Sequence, residues 1–422
     1  MDIAWISVGA LALVIIVSCV AKLNPGVLAV VFAWILGAYV APALGADLKL
    51  KQVIGGFPAQ LFLTLTGVML FFSQAQSNGT LDQIARTAVR LCRGNVGVIP
   101  LAFFLLTFVL TSVGAGSIAA VALVAPVAMS VATRASIPPF LMTLMVAHGA
   151  VAGGMTPFAL TGIIANGLLS RIGLPGREWE IFFHNLLANV FVSFSGYFAF
   201  GGWRLFRRTY AEAPEAERAA PPFEGRHGFT LALIGLLILA VTVLKVDVGM
   251  GGFAAAALVT IFGAADEKKA FEAVPWPVIV MVCGVTVLTS VLEQTGGIDR
   301  ITSAIARIST PRTVPGVLAF FTGLTSVYSS TSGVVLPALI PAVPGLAEKL
   351  PGANPAALAS SISIGANLVD VSPLSTIGAL CISAVGGPAE DRRSLFNKVL
   401  AWGLTMAVVG GLICLVAFGL LA

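Results

Sequence analysis

The chain has 422 residues, 58% of them hydrophobic and 10% charged, with a mean hydropathy of +0.98. That balance excludes a soluble globular protein and identifies a polytopic membrane protein. The net charge of +5 is no nucleic-acid signal, because Lys and Arg form no stripe and sit between apolar spans.

Backbone polar groups in lipid must be satisfied internally, and no alternating barrel-strand pattern occurs, so the spans are read as helices. The first covers about 3–20. It opens with Asp2 and reaches Lys22 without a small-residue cleavage site, which reads as a retained span. Further spans are expected at about 26–44 and 58–77, followed by an amphipathic surface segment at 80–95 carrying Arg86, Arg90 and Arg93. Residues 97–136 are apolar but interrupted by Gly114-Ala115-Gly116-Ser117, which predicts a re-entrant hairpin with its tip inside the membrane. Residues 140–170 carry Gly149, Gly153, Gly154, Thr156 and Pro157, so that helix should unwind midway. A span at 181–203 closes a first unit, 1–203, whose scaffold spans occupy 1–77. The charged, Pro-rich stretch 204–227 reads as a solvated linker.

The second unit, 228–422, repeats the plan. Spans are expected at 229–244, 249–264 and 276–293, then a surface segment with Asp299, Arg300 and Arg307. A second hairpin covers 314–347, with its tip at Ser329-Ser330-Thr331-Ser332-Gly333. A second broken helix covers 355–385 and unwinds around Gly365 to Pro373, before a last span at 398–421. The repetition is also literal. Pro58, Gly67, Ser73, Gly79, Asp82 and Arg90 recur 217 positions later as Pro275, Gly284, Ser290, Gly296, Asp299 and Arg307. Leu101-Ala102-Phe103-Phe104 recurs as Leu318-Ala319-Phe320-Phe321, and Gly149, Pro157 and Gly162 recur at an offset of 216 as Gly365, Pro373 and Gly378. Duplicated halves with Gly/Pro-interrupted segments in matching places point to a secondary transporter.

This plan gives about ten transmembrane helices plus two hairpins. Five crossings per unit force the halves into inverted topology. The side holding the linker carries 15 of the 24 Lys and Arg, so the positive-inside rule puts the linker in the cytoplasm and both termini outside.

Exposed backbone groups at tips and breaks are tolerated in a membrane only where they line a polar cavity. Half-helix N-termini suit a carboxylate, and half-helix C-termini and unwound carbonyls suit a cation such as Na⁺. The second half is richer in side-chain chemistry. Ser329, Ser330, Thr331 and Ser332 offer four hydroxyls at one tip, and Asn367, Ser372, Ser375 and Thr376 crowd the second break. Asp370 is the one acid well inside an expected span, where ionisation costs about 2.5–3.5 kcal/mol. It is read as a cation ligand, a proton carrier or a helix cap. The first half offers Ser112, Gly114, Gly116 and Ser117 at its tip and Gly153, Gly154, Thr156 and Pro157 at its break. His148 reads as a helix–helix hydrogen-bonding residue. The scattered cysteines make no CxxC pair and read as packing residues. No His/Asp/Glu constellation supplies the nucleophile–base pair of an enzyme, and no cofactor is expected.

At Gly55-Gly56-Phe57-Pro58, Asn78-Gly79-Thr80, Ala125-Pro126-Val127-Ala128, His148-Gly149-Ala150 and Gly153-Gly154, the chain resembles the malonate/dicarboxylate carrier family of the MatC type. Ser329-Ser330-Thr331-Ser332-Gly333 and Asn367-Leu368-Val369-Asp370-Val371-Ser372-Pro373 extend the likeness to the second half. That family is related to the divalent-anion/sodium symporters. The resemblance implies a homodimer in a bacterial inner membrane, with a scaffold and a transport domain that moves as an elevator. It implies a small dicarboxylate as substrate and Na⁺ coupling, with a proton-coupled carrier or exchanger using Asp370 as the alternative. Carried onto this chain, the substrate would meet Ser117, Thr156, Pro157, Ser330, Thr331, Ser332, Ser372, Pro373 and Thr376. Cation binding or coupling would fall to Gly114, Gly116, Gly153, Gly154, Ser329, Gly333, Gly365, Asn367 and Asp370. The symporters' Ser-Asn-Thr tip motifs are replaced here by Gly116-Ser117-Ile118 and Ser330-Thr331-Ser332, which shifts recognition toward backbone N–H groups and hydroxyls.

Overall fold

A computed structural model describes residues 2–21, 23–45, 48–81, 83, 94–210, 223–385 and 389–421. Apart from one two-residue strand pair, the regular structure of the described residues is helical. Eight helices among them are long and apolar enough to cross a membrane, and six shorter apolar helices accompany them.

Helices α1 (Ile3–Ala21) and α2 (Pro25–Ile35) open the chain, and α2 continues through a π turn, Leu36–Val40. Asn24 starts α2 by accepting from the Gly26 N–H, with Pro25 at the first helical position. A short α3 (Leu50–Gly55) leads into α4 (Ala59–Ser77). The first hairpin is α5 (Val98–Leu110) and α6 (Ser117–Arg134), and the first broken helix is α7 (Pro139–Gly153) and α8 (Leu160–Arg171). Then comes α9 (Glu178–Ala199). The expected surface segment at 80–95 lies mostly outside the described residues, as does the middle of the expected linker. The linker's last residues are already structured. Glu224 and His227 form a capping box that starts α10 (Gly225–Thr242), four residues before the expected span.

Helices α11 (Val248–Ile261), α12 (Glu267–Ala273), α13 (Trp276–Gln294) and the amphipathic α14 (Gly297–Arg307) follow. The second hairpin pairs α15 (Val314–Tyr328) with α16 (Thr331–Lys349). Pro337, Pro341 and Pro344 lie inside α16, so it alternates π, α and 3₁₀ turns instead of running as one regular helix. The second broken helix is α17 (Pro355–Val369) and α18 (Thr376–Ser383), before α19 (Ala389–Cys414).

The hairpin arms are longer than a re-entrant loop needs. The stretches Val98–Ala115 and Ser117–Arg134 are 18 residues each. At 1.5 Å per residue that is about 27 Å, close to a full crossing.

The two sequence halves interlock. Helix α4 crosses α11, and a Cβ on Gly67 would lie 2.3 Å from the Gly249 carbonyl oxygen. The matched Gly284 on α13 meets α2 in the same way, 2.1 Å from the Gly26 carbonyl oxygen. Only glycine permits backbones to approach this closely. The 1–203 and 228–422 division of the sequence is therefore not a division in space.

Buried apolar residues form three clusters. The largest unites α1, α2, α4, α8, α10 to α14 and α16, and takes in the first turns of α9, α15 and α17. A second joins α5, α6 and α7 to α18 and the start of α19, and a third joins α9, α15, α17 and the rest of α19. The base of the first hairpin is fastened to the end of α9. Gly94–Asn95 pairs antiparallel with Thr209–Tyr210, and the Tyr197 hydroxyl donates to the Gly97 carbonyl at 2.9 Å. The base of the second hairpin is fastened to α14, where the Lys349 ammonium pairs with the Asp299 carboxylate and donates to Ser303 Oγ at 2.9 Å.

Candidate functional site

Each tip is a place where helical hydrogen bonding lapses. At the first, α5 passes through a π turn, and Gly114 (φ 115°) and Gly116 (φ 81°) turn the chain into α6. Positive φ at both positions requires glycine. At the second, Ser329 and Ser330 are extended, and Ser330 caps the next turn by accepting from the Gly333 N–H at 3.1 Å.

Each tip touches the break in its own half. Thr156 Oγ1 donates to the Ser112 carbonyl at 2.8 Å. Thr331 Oγ1 shares a 2.6 Å hydrogen bond with Ser326 Oγ and lies 3.4 Å from the Ala366 carbonyl. The tips and the second break meet around a cavity of about 450 Å³, in the range of small-molecule sites. Its wall is completed by Met69, Phe72, Ser73 and Gln76 of α4. The first residues of α6 (Ser117), α8 (Leu160) and α18 (Thr376) all line it. Three helix N-termini thus bring partial positive charge and unpaired N–H donors to one space.

Asp370 lines the same cavity, beside the hydroxyls of Ser329 to Ser332. It does not cap α18; that role belongs to Ser375, which accepts from the Gly378 N–H at 3.3 Å and donates to the Asp370 and Ser372 carbonyls. Asp370 instead ends α17, its N–H bonded to the Asn367 carbonyl at 3.1 Å. A carboxylate at a helix C-terminus opposes the helix dipole. Local stability therefore does not explain this acid, and the cap reading is set aside.

The residues singled out from the sequence fall in three places. Gly116, Ser117, Ser329, Ser330, Thr331, Ser332, Asp370, Ser375 and Thr376 line the cavity. Gly114, Thr156, Gly153, Gly154, Gly333, Gly365, Asn367, Ser372 and Pro373 do not. They stand behind it: Ser372 is fully buried against Gly403 of α19, and Gly365 abuts the Ala319 carbonyl. Pro157 faces a separate groove of about 690 Å³ with Asn166 and Arg171. Thr111 and Ser112, the latter beside Gly153, have buried hydroxyl oxygens with no hydrogen-bond partner among the described residues. His148 is fully buried and joins three helices, with Nδ1 at 3.0 Å from Asn189 Oδ1 and Nε2 accepting from Trp402 Nε1 at 3.0 Å. Sequence reasoning missed the α4 face, although the match of Ser73 with Ser290 marked it.

Residues 1–154 match the family model described as "Dicarboxylate carrier protein MatC N-terminus". The matched region contains α1 to α7 and so supplies α4, the first tip and the start of the first break. Among solved structures, the chain is similar to the YdaH transporter of Alcanivorax borkumensis, described as having an unusual topology. The TM-score is 0.53 at 17% identity, over 87% of this chain and 86% of that one, which is a likeness of fold. A search of curated proteins gave no match.

Proposed function

We propose that the chain is a secondary active transporter of small dicarboxylates, malonate-like or four-carbon, coupled to Na⁺. The observation that carries this reading is the convergence of three helix N-termini, two hairpin tips and Asp370 on one cavity. The N-termini and hydroxyls suit carboxylates. The acid would repel a dianion unless a cation or proton accompanied it, which is the physical basis for coupling. The unpartnered hydroxyls of Thr111 and Ser112 offer oxygen ligands for that cation behind the first tip. The family description of residues 1–154 supports the substrate class.

The proposed movement is an elevator between inverted repeats in a homodimer. Supporting it, the scaffold helices α1, α2, α4, α11 and α13 share one core and α5, α6 and α7 share another, while α9 and α17 reach from the first core into the others. Matched glycines on α4 and α13 make matched contacts, as inverted halves would. The proposed setting is a bacterial inner membrane with the linker in the cytoplasm. The test is uptake of radiolabelled malonate and succinate into proteoliposomes. Accumulation driven by an inward Na⁺ gradient at fixed pH supports the reading. Accumulation driven only by a pH gradient assigns the coupling to a proton on Asp370, and none under either gradient removes the dicarboxylate assignment.

A further inference from the structure

The groove of about 690 Å³ that Pro157 faces lies apart from the main cavity. It runs between the start of α4, one face of α8, the starts of α9 and α11 and the end of α10. Helix α9 leads from this end of the molecule to the linker and α10 returns from it, so the groove stands at the membrane surface opposite the linker. Trp179 at its rim is exposed, in the manner of interfacial tryptophans. Leu61, Ile163, Val241 and Val248 give the groove an apolar wall.

Its polar groups carry both signs of charge. Asn166, Ser170 and Arg171 come from α8, Glu178 from the start of α9 and Asp247 from the cap of α11. Arg171 forms no ion pair and no hydrogen bond among the described residues, although both carboxylates line the same groove. Glu293 of α13 also faces Arg171, across a chamber of about 140 Å³, without pairing with it. The nearby Arg177, by contrast, is paired with Glu180 at 2.6 Å. The two groove acids are held in place by backbone donors. Glu178 accepts from the Gly176 N–H at 3.0 Å and Asp247 from the Met250 N–H at 2.9 Å. The shared plan of the two halves does not account for the polar face of α8. At the offset of 216 that relates Pro157 to Pro373, Asn166, Ser170 and Arg171 correspond to Ile382, Gly386 and Gly387.

We propose that this groove binds the headgroup of phosphatidylethanolamine, its phosphate on Arg171, Asn166 and Ser170 and its ammonium on Glu178 and Asp247. The proposal needs only that the chain spans a membrane, and it stands or falls apart from dicarboxylate transport. Charge decides the choice of lipid. A phosphate accepts the fork of N–H donors that a guanidinium presents. A primary ammonium brings three N–H donors to the carboxylates. A choline headgroup has the same charge but no N–H to donate. The glycerol headgroup of an anionic phospholipid brings no cation to a groove whose carboxylates already outnumber its guanidinium. The acyl chains lie along the apolar wall.

The test is competition among lipids for the full-length protein in detergent. The protein is equilibrated with equimolar phosphatidylethanolamine, phosphatidylcholine and phosphatidylglycerol of matched chains, and the lipid retained after gel filtration is measured by mass spectrometry. The parent retains phosphatidylethanolamine over the other two. Arg171→Gln lowers that retention about tenfold, the scale of a lost charge-assisted hydrogen-bond pair. Glu178→Gln combined with Asp247→Asn removes the charges but keeps the acceptors that Gly176 and Met250 use, so the fold is preserved and the preference over phosphatidylcholine disappears. If Arg171→Gln does not accumulate, Asn166→Leu tests the phosphate end and lowers retention by a smaller factor. Equal retention of the three lipids by the parent overturns the proposal, as does a preference for phosphatidylglycerol. Undiminished retention in the variants places the lipid elsewhere and overturns it too. Displacement of the lipid by malonate or succinate makes the groove an organic-anion site instead, and likewise overturns it.

Discussion

Gly365→Ala tests how tightly the second broken helix is held. An alanine Cβ there would lie 2.1 Å from the Ala319 carbonyl oxygen, 2.4 Å from Thr322 Oγ1 and 2.6 Å from Ala319 Cα. Two of the three obstacles are backbone, so no rotamer change relieves them, and α15 and α17 must separate by roughly 1 Å to restore van der Waals contact. Such overpacking costs about 1–3 kcal/mol, and a backbone obstacle belongs at the upper end. Replacing glycine inside a helix returns about 1 kcal/mol of propensity, which leaves a net loss of about 2 kcal/mol. Gly235→Ala is the control: it lies inside α10 with nothing within 4 Å of the added Cβ, and should be neutral or slightly stabilising. Thermal unfolding of the detergent-purified proteins is the assay, with Gly365→Ala melting several degrees below the parent. Gly149→Ala should behave alike, because its Cβ would meet Thr107 Oγ1 at 2.3 Å and the Phe104 carbonyl at 2.4 Å. A Gly365→Ala protein as stable as the parent would refute the contact argument.

Asp370→Asn should leave the melting temperature near that of the parent and abolish or uncouple malonate and succinate uptake; unchanged uptake with unchanged ion dependence would exclude a coupling role. Ser375→Ala removes the cap of α18 and should cost about 1 kcal/mol by thermal unfolding, most of it restored by Ser375→Asp or Ser375→Thr. The Asp2 carboxyl, outside the spans, is held below its ordinary pKa by the Ala4 N–H and then by the Arg300 guanidinium. A depressed pKa means that the link stabilises above the ordinary carboxylate range and is lost as pH falls through the lowered value. Arg300→Gln should therefore loosen the N-terminus at neutral pH, measured by hydrogen exchange at α1, and make little difference in strong acid.

The sequence by itself determined where helices begin, break and turn. Those features are local. Gly114 and Gly116 carry the positive φ that the first tip needs, and Pro275, matched to Pro58, stands at the start of α13 as its partner does before α4. Apolar runs of sufficient length determined the membrane, because no other solvent tolerates them. Even the site's chemistry was partly legible, since hydroxyls clustered at a tip and a lone acid in an apolar segment have few local uses.

Tertiary structure decided which of these residues share a space. Asp370 and Ser375 both flank the second break, but only the fold assigned the cap to Ser375 and left Asp370 facing the cavity. Contacts also follow an offset that the letters do not: Phe104 packs on Gly149 as Ala319 packs on Gly365, an offset of 215, whereas the matched run of letters pairs Phe104 with Phe321. Backbone contacts at glycine are fixed by geometry, which a run of letters does not record. The meeting of the two tips, Gly116-Ser117 and Ser329 to Ser332, around one cavity appears in no local pattern, because it joins segments about two hundred residues apart in the chain.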